Sequence, residues 1–302
     1  WKFQISKLQF SSKEICTVKI GGVSPRETSW SFHIRFYNNF EFTSLTKIEN
    51  SSFENSSFFY VLCGPPQSGK TSLLVNMLKR QPKKENNIYY QVFSKILLVM
   101  PETSRGSITK KHNIFDLLPP DQIFDEFSID VYDTVQVIKD IFSENEDEAK
   151  YKKKKYKPEH QLLILDDITA QLKNKDVEEM LVDLALNRRH LKLSIILLVQ
   201  VLNKIPKSVR SATTSLIFFT SKNKSQLQVI FEEFIMMDKK KFEELIKFCF
   251  DAQHNFIFIN KKGDYFKNLS KIVFTNPPPS NIVFRPPPKK TRYNKKTKYK
   301  IE

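Results

Sequence analysis

Glycine is scarce in this chain of 302 residues, at 6 positions, so any loop that uses it twice stands out. Cysteine is scarce too: Cys16, Cys63 and Cys249 are odd in number, widely spaced and form no C-x-x-C pair. That argues against a disulfide framework and a cysteine zinc site, and points to a reducing, intracellular compartment. Long hydrophobic runs are missing as well. The longest apolar stretch, 195–202, is interrupted by Gln200 and falls far short of the roughly 20 residues that span a bilayer, so no membrane partner is expected. No secretory signal opens the chain, and because it begins at Trp1 and not at methionine, a preceding segment is expected. Acid falls well short of base, with 33 Asp+Glu against 49 Lys+Arg and a net charge of +16 at pH 7. The remaining make-up, 40% hydrophobic and 27% charged, is that of a globular protein able to bury one large core or two small ones.

What is present is led by Gly64-Pro65-Pro66-Gln67-Ser68-Gly69-Lys70-Thr71, which matches the phosphate-binding pattern G-x-x-x-x-G-K-[ST]. An apolar β-type run, 58–63, precedes it, and a helix-type run beginning at Ser72 and reaching residue 80 follows. That order supplies the chemistry. Gly64 and Gly69 let the backbone turn tightly and aim its N–H groups at phosphate oxygens, and the new helix adds its positive end. Lys70 then reaches the β- and γ-phosphates, and the Thr71 hydroxyl holds a magnesium ion. ATP and Mg2+ are the cofactors this implies.

Further elements follow at the spacing of an α/β protein. Residues 1–55 read as a small β-rich lead-in. The core, 56–275, carries strand candidates at 95–100, 161–165, 193–199 and 216–219, and an amphipathic helix over 176–189. The segment 103–120 reads as loop, residues 134–142 have helical spacing, and the acidic-then-basic run 144–157 reads as a surface insertion. Two helical stretches, 226–236 and 239–250, precede a hairpin at 255–269. The end, 276–302, is proline-rich and basic and is expected to be extended. Strands alternating with helices imply a mainly parallel sheet with helices on both faces; together with the phosphate loop this resembles a phosphate-loop NTPase of the RecA-like kind.

The strand 161–165 ends in Asp166-Asp167, placing acids where ligands bind in open α/β sheets. Asp166 is read as the magnesium ligand and Asp167 as the residue that orients or deprotonates water. A helix-capping aspartate pair is the alternative. Gln200 closes the strand 193–199 and is read as a polar sensor of the γ-phosphate, against an ordinary polar strand end. Arg188-Arg189-His190 precede that strand, at the edge of the sheet opposite the phosphate loop. From there an arginine reaches a neighbour's nucleotide and not its own, as a finger in trans; the alternative is a solvated basic helix end. Arg210 is a second candidate. The charge excess favours nucleic acid as partner, and part of it sits in 150–157 and 289–300, either of which also fits a solvated surface loop.

Taken together, these residues resemble the viral genome-packaging ATPases of the FtsK–HerA superfamily, in the poxvirus-type branch of large DNA viruses and virophages. The resemblance covers about 58–274. It rests on Gly64 to Thr71, on Asp166-Asp167, and above all on 187–200 followed by Lys204-Ile205-Pro206-Lys207-Ser208-Val209-Arg210-Ser211. It implies a homo-oligomeric ring that hydrolyses ATP and drives double-stranded DNA into a preformed capsid. It also implies Arg189 as the trans finger, Gln200 as the sensor and capsid proteins as further partners. The setting it implies is the host cytoplasm or a viral factory, with association to the virion. The lead-in, the Lys152 to Lys155 run and the basic tail are not accounted for by it. Two other readings compete: another nucleic-acid motor (helicase, conjugation or replication-initiation type), and a phosphate-loop kinase or switch. Adjacent acids, Gln200 and the positive charge weigh against the last.

Overall fold

A computed structural model describes residues 53–82, 87–106, 114–221 and 223–272, and the backbone of four strands before them. The chain divides into two units, one of 1–43 with 274–302 and one of Ser44–Val273. In the first, β1 (Phe3–Phe10), β2 (Lys13–Ile20) and β3 (Ser31–Ile34) pair antiparallel in that order. The expected basic tail, 276–302, lies outside the described residues.

The second unit is built on a ten-stranded sheet. Its strands are β4 (Thr46–Lys47), β5 (Phe59–Cys63), β6 (Lys95–Val99), β7 (Ile123–Phe124), β8 (Gln161–Asp166), β9 (Leu193–Val199), β10 (Ser215–Phe219), β11 (Phe256–Ile259), β12 (Tyr265–Lys267) and β13 (Ser270–Lys271). They lie in the order β4-β13-β12-β11-β10-β5-β9-β8-β6-β7. From β10 to β7 every pairing is parallel, and from β10 to β4 every pairing is antiparallel. The helices are α1 (Lys70–Leu78), α2 (Glu102–Arg105), α3 (Ile129–Tyr151), α4 (Lys175–Asn187), α5 (Lys207–Ala212), α6 (Lys224–Phe234) and α7 (Lys239–Cys249). Among the described residues, no helix is long and apolar enough to cross a membrane.

The central strands are continuous apolar runs because both of their faces are covered. Every residue of β5, β9 and β10 is buried, as are the first five of β8. Each fully buried Leu, Ile or Phe there contributes about 1.5–3 kcal/mol of transfer free energy. Burial also fixes register, since a slip by one residue would carry Asp166 into the sheet and an apolar residue out. β9 inserts between β5 and β8. The pairing Cys63 with Val199 and Asp166 with Leu198 brings the carboxyl ends of these strands to one level.

Two local expectations change. The helix predicted over 134–142 is part of α3, 23 residues long, and it absorbs the acidic half of the segment read as a surface insertion. Glu and Lys favour helix once they face solvent, and here Glu146 pairs with Lys150, and Glu148 with Lys152, one turn apart. The stretch 103–120, read as loop, includes most of α2 and a 3-10 turn at Ile114–Leu117 that buries Phe115.

Phe53 and Glu54 precede β5 but belong to the same core. Phe53 stacks on Phe258 at 4.9 Å, and the buried Tyr89 hydroxyl donates to the Glu54 carbonyl at 2.9 Å and bonds Tyr60 Oη at 3.2 Å. The Glu54 N–H in turn donates to Tyr60 Oη at 2.9 Å. Tyr89→Phe keeps the ring packing but strands a half-buried carbonyl. It is expected to lower unfolding free energy by about 1–2 kcal/mol, read as a drop in urea midpoint at constant slope. An unchanged midpoint would show that this pair of phenols does not anchor the segment before β5.

Candidate active site

The loop between β5 and α1 takes its shape from its two glycines. A Cβ at Gly64 would stand 2.8 Å from both Phe219 Cβ and Ser68 Oγ, closer than real Cβ atoms come. Gly69 holds φ 104, which side-chain-bearing residues rarely adopt, and it caps α1. The Gly64 N–H donates to the Val199 carbonyl at 3.1 Å, so the loop is pinned to the end of β9 next to Gln200. Inside the loop the Ser68 hydroxyl is buried without a hydrogen-bond partner. Lys70 Nζ donates to the carbonyls of Gly64 at 2.6 Å and Pro65 at 3.0 Å. A glycine cradle that no Cβ could enter, an orphaned hydroxyl and a lysine at its mouth fit a phosphate group.

Lys70, Thr71, Asp166, Asp167 and Gln200 line one cleft of about 490 Å³, with Pro66, Gln67 and Ser72 at its rim. Burial pushes the Asp166 carboxyl up to about 6, with the Lys70 charge opposing that rise and the Asp167 charge adding to it. Burial likewise draws the Lys70 ammonium below its ordinary value, against the charges of Asp166, Cys63 and Asp167. Each of the two is thus a desolvated charge that a bound partner would relieve, a phosphate for Lys70 and a cation for Asp166. Among the described residues, no cluster of three or more His, Cys, Asp or Glu could hold a metal alone. The donor set of Thr71 and Asp166 therefore fits magnesium, which keeps few protein ligands and takes the rest from phosphate and water.

Asp167 is exposed, with a left-handed backbone at φ 61, and leads into a 3-10 helix, Ile168–Lys173. A non-glycine residue in that conformation is uncommon and collects at functional sites. Asp167 stands at the N-cap position of that 3-10 helix but makes no side-chain cap bond, and α4 is capped by Asn174, whose side chain accepts from the Asp176 N–H at 2.9 Å.

The arginines separate. Arg188 Nε donates to the Ser57 carbonyl at 2.8 Å, just before β5, and another of its nitrogens donates to the Ala185 carbonyl. It is a brace at the amino end of the strand whose carboxyl end carries the phosphate loop. Arg189 is exposed beside it: its carbonyl accepts from the Lys192 N–H at 3.3 Å, but its guanidinium makes no hydrogen bond or ion pair with any described residue. A five-residue strand is about 17 Å long, so Arg189 lies on the wrong side of the sheet for its own loop. Arg210, the second candidate finger, is committed within the chain. It grips Glu233 of α6 through two 2.7 Å bonds and also donates to the Ile205 carbonyl, so it is not free to reach a neighbour.

Other residues of the site were not anticipated. Asn76 and Lys79 extend the cleft along α1, four and seven residues after Ser72, a spacing that helical periodicity could have flagged. Ser104 enters from α2, beyond the carboxyl end of β6, where the rule for open α/β sheets would have looked. His254 lies beside the loop, its Nδ1 3.1 Å from the Ser68 carbonyl, and carries no sequence signal at all.

Residues 45–268 match the family described as Poxvirus A32 protein, nearly the whole of the Ser44–Val273 unit. The chain belongs to the poxvirus A32 protein family. As a member of it, the chain is a viral genome-packaging ATPase of the FtsK–HerA type, with the phosphate-loop NTPase fold. Among solved structures, the DNA-packaging ATPase B204 of Sulfolobus turreted icosahedral virus aligns at a TM-score of 0.45 and 15% identity, over 71% of this chain and 98% of that one. B204 of Sulfolobus turreted icosahedral virus 2 in complex with ATP-gammaS gives 0.46 and 17%, over 71% and 98%. The pCW3 conjugation coupling protein TcpA, in its monomer form with ATPgS, gives 0.46 and 12%, over 89% and 77%. No curated protein sequence matches the chain.

The Asp166 shift in this A32-family site has a sign that can be measured. The folded chain binds that proton more tightly than the unfolded chain. The cost of burying the ionised carboxylate therefore sets in as pH rises past about 4 and is complete above about 6. Asp166→Asn removes that cost, so without nucleotide the variant is expected to be more stable than wild type by about 3 kcal/mol at pH 7.5. The gain should vanish as pH falls to 4 in thermal melts. A variant equally stabilised or destabilised at both pH values would mean that Asp166 is not desolvated as described.

Proposed function

We propose that the chain hydrolyses ATP with Mg2+ and couples the hydrolysis to movement of double-stranded DNA, as a subunit of a homo-oligomeric ring. The observation that carries this is the meeting, in one cleft, of Lys70 and Thr71 with Asp166, Asp167 and Gln200 from three adjacent strand ends. In this reading the loop amides and Lys70 hold the β- and γ-phosphates. Thr71 and Asp166 hold the magnesium ion, which when bound neutralises charge on the phosphate oxygens. Asp167 aligns the attacking water and accepts its proton, and Gln200 senses the γ-phosphate. A phosphoryl transition state gains most from a cation on its equatorial oxygens, and among the described residues no arginine lines the cleft. Arg189, exposed and uncommitted at the far edge, is the residue we assign to a neighbour's site. The excess of 49 Lys+Arg over 33 Asp+Glu supports duplex DNA as the polyanion moved. We take capsid proteins as further partners. The buried free thiols of Cys63 and Cys249 support a reducing setting such as host cytoplasm or a viral factory.

Two variants test the roles separately. Lys70→Ala is expected to abolish turnover together with tight ATP binding. Asp167→Asn is expected to bind ATP normally while turnover falls at least about 100-fold. Full turnover in Asp167→Asn would remove it from the water-orienting role. Arg189→Ala is expected to lose about 1000-fold in kcat with ATP affinity kept, and to depress wild-type chains when mixed with them. Undiminished activity of such mixtures would contradict a finger supplied in trans.

A further inference from the structure

The cleft with Asp166, Asp167 and Gln200 lies on one side of the phosphate loop. A second cavity of about 490 Å³ lies against the same loop and shares Gln67, Lys70, Thr71, Ser72 and Asn76 with the first. The two meet over the loop and the first turns of α1, but their linings differ in kind. The second has no carboxylate, and its wall is made by Phe219 at the end of β10, Phe256 at the start of β11 and His254 just before it.

We propose that this second cavity seats the nucleoside end of the bound nucleotide, with His254 as the residue that contacts it. The inference rests on the ATP-binding reading above and adds to it a direction. If the γ-phosphate faces the acids and Gln200, a linear triphosphate must leave the loop on the other side, where this cavity begins. A purine offers flat apolar faces and a few hydrogen-bonding edges, and aromatic rings beside one polar side chain are the surface that takes such a group. Phe219 and Phe256 are buried and pack on one another at 5.3 Å between ring centres, which makes them a fixed floor.

His254 is held above that floor in a defined state. Its backbone is left-handed at φ 66, and a Cβ at Gly69 would lie 3.7 Å from both His254 Nδ1 and Phe219 Cε1. The ring and Phe219 thus lie directly over the loop at Gly69, at ordinary contact distance. The 3.1 Å contact runs from Nδ1 to the Ser68 carbonyl, and because a carbonyl only accepts, Nδ1 must carry the proton. In the neutral ring that leaves Nε2 as an acceptor for a ribose hydroxyl or an exocyclic amino group. The contact with the Ser68 carbonyl thus orients the ring so that it offers an acceptor to the nucleoside, and an effect on the nucleoside is separable by experiment from one on the loop.

The probes are ATP and inorganic tripolyphosphate, titrated calorimetrically with Mg2+ into the full chain and two variants. His254→Ala deletes the ring, and His254→Asn deletes it while tolerating the left-handed backbone. Both are expected to weaken ATP about tenfold and to leave tripolyphosphate within about twofold, with KM for ATP raised and kcat nearly unchanged. Equal weakening of both ligands would mean that His254 acts only through the loop, and unchanged ATP affinity would mean that it does not act at all. Either result overturns the proposal while leaving ATP binding by the loop intact. A wild-type chain that binds neither ligand would instead overturn the nucleotide reading on which the proposal rests.

Discussion

Two opposite charges drawn partly out of water at the carboxyl ends of buried parallel strands set the terms for this protein. Lys70 and Asp166 are each penalised by burial, and each is partly compensated by the other. Holding them there demands a sheet stiff enough not to relax. That is why β5, β8 and β9 are so uniformly apolar, and why their register leaves polar groups to begin at one level, with Asp166 and Gln200. The same demand explains the use of scarce glycine at Gly64 and Gly69, where the backbone comes too close to Phe219 and Ser68, or turns too far, for any side chain. A site with two desolvated charges and a buried orphan hydroxyl at Ser68 is preorganised for a ligand that is itself both anion and cation.

The opposite edge of the sheet has a different logic. There Arg188 is consumed in bracing the segment before β5 against the end of α4, while Arg189 next to it is left in solvent. Neighbours in sequence thus divide into a structural and an available cation, separated from their own phosphate loop by the length of a strand. In the proposed reading, a chain built this way carries half of a site on each edge. Assembly of copies is the simplest way to use both, which connects the geometry of one subunit to the family's packaging activity.

Much of this was legible in the sequence because it is local. The phosphate loop, the acid-ended strand and the Gln200-ended strand are contiguous motifs whose chemistry depends on neighbours along the chain. What was illegible depends on contacts between distant segments. The pairing of Arg210 with Glu233 spans 23 residues, and the contact of His254 with Ser68 spans 186. The extension of α3 through residues 144–151 was misjudged for another reason. An acidic run followed by a basic one reads as a surface insertion until its spacing is recognised as pairs one helical turn apart. Asn76, Lys79 and Ser104 stand between these cases, since periodicity along α1 and the end of β6 already pointed at them.

The most direct measurement of the whole account is steady-state phosphate release from Mg-ATP, with and without duplex DNA, over a range of salt. The account predicts magnesium-dependent release that duplex DNA accelerates severalfold, the acceleration fading as salt screens the contacts of a chain with net charge +16. Release that is indifferent to duplex DNA at every salt concentration would contradict it, leaving a phosphate-loop hydrolase uncoupled from the polymer it is held to move.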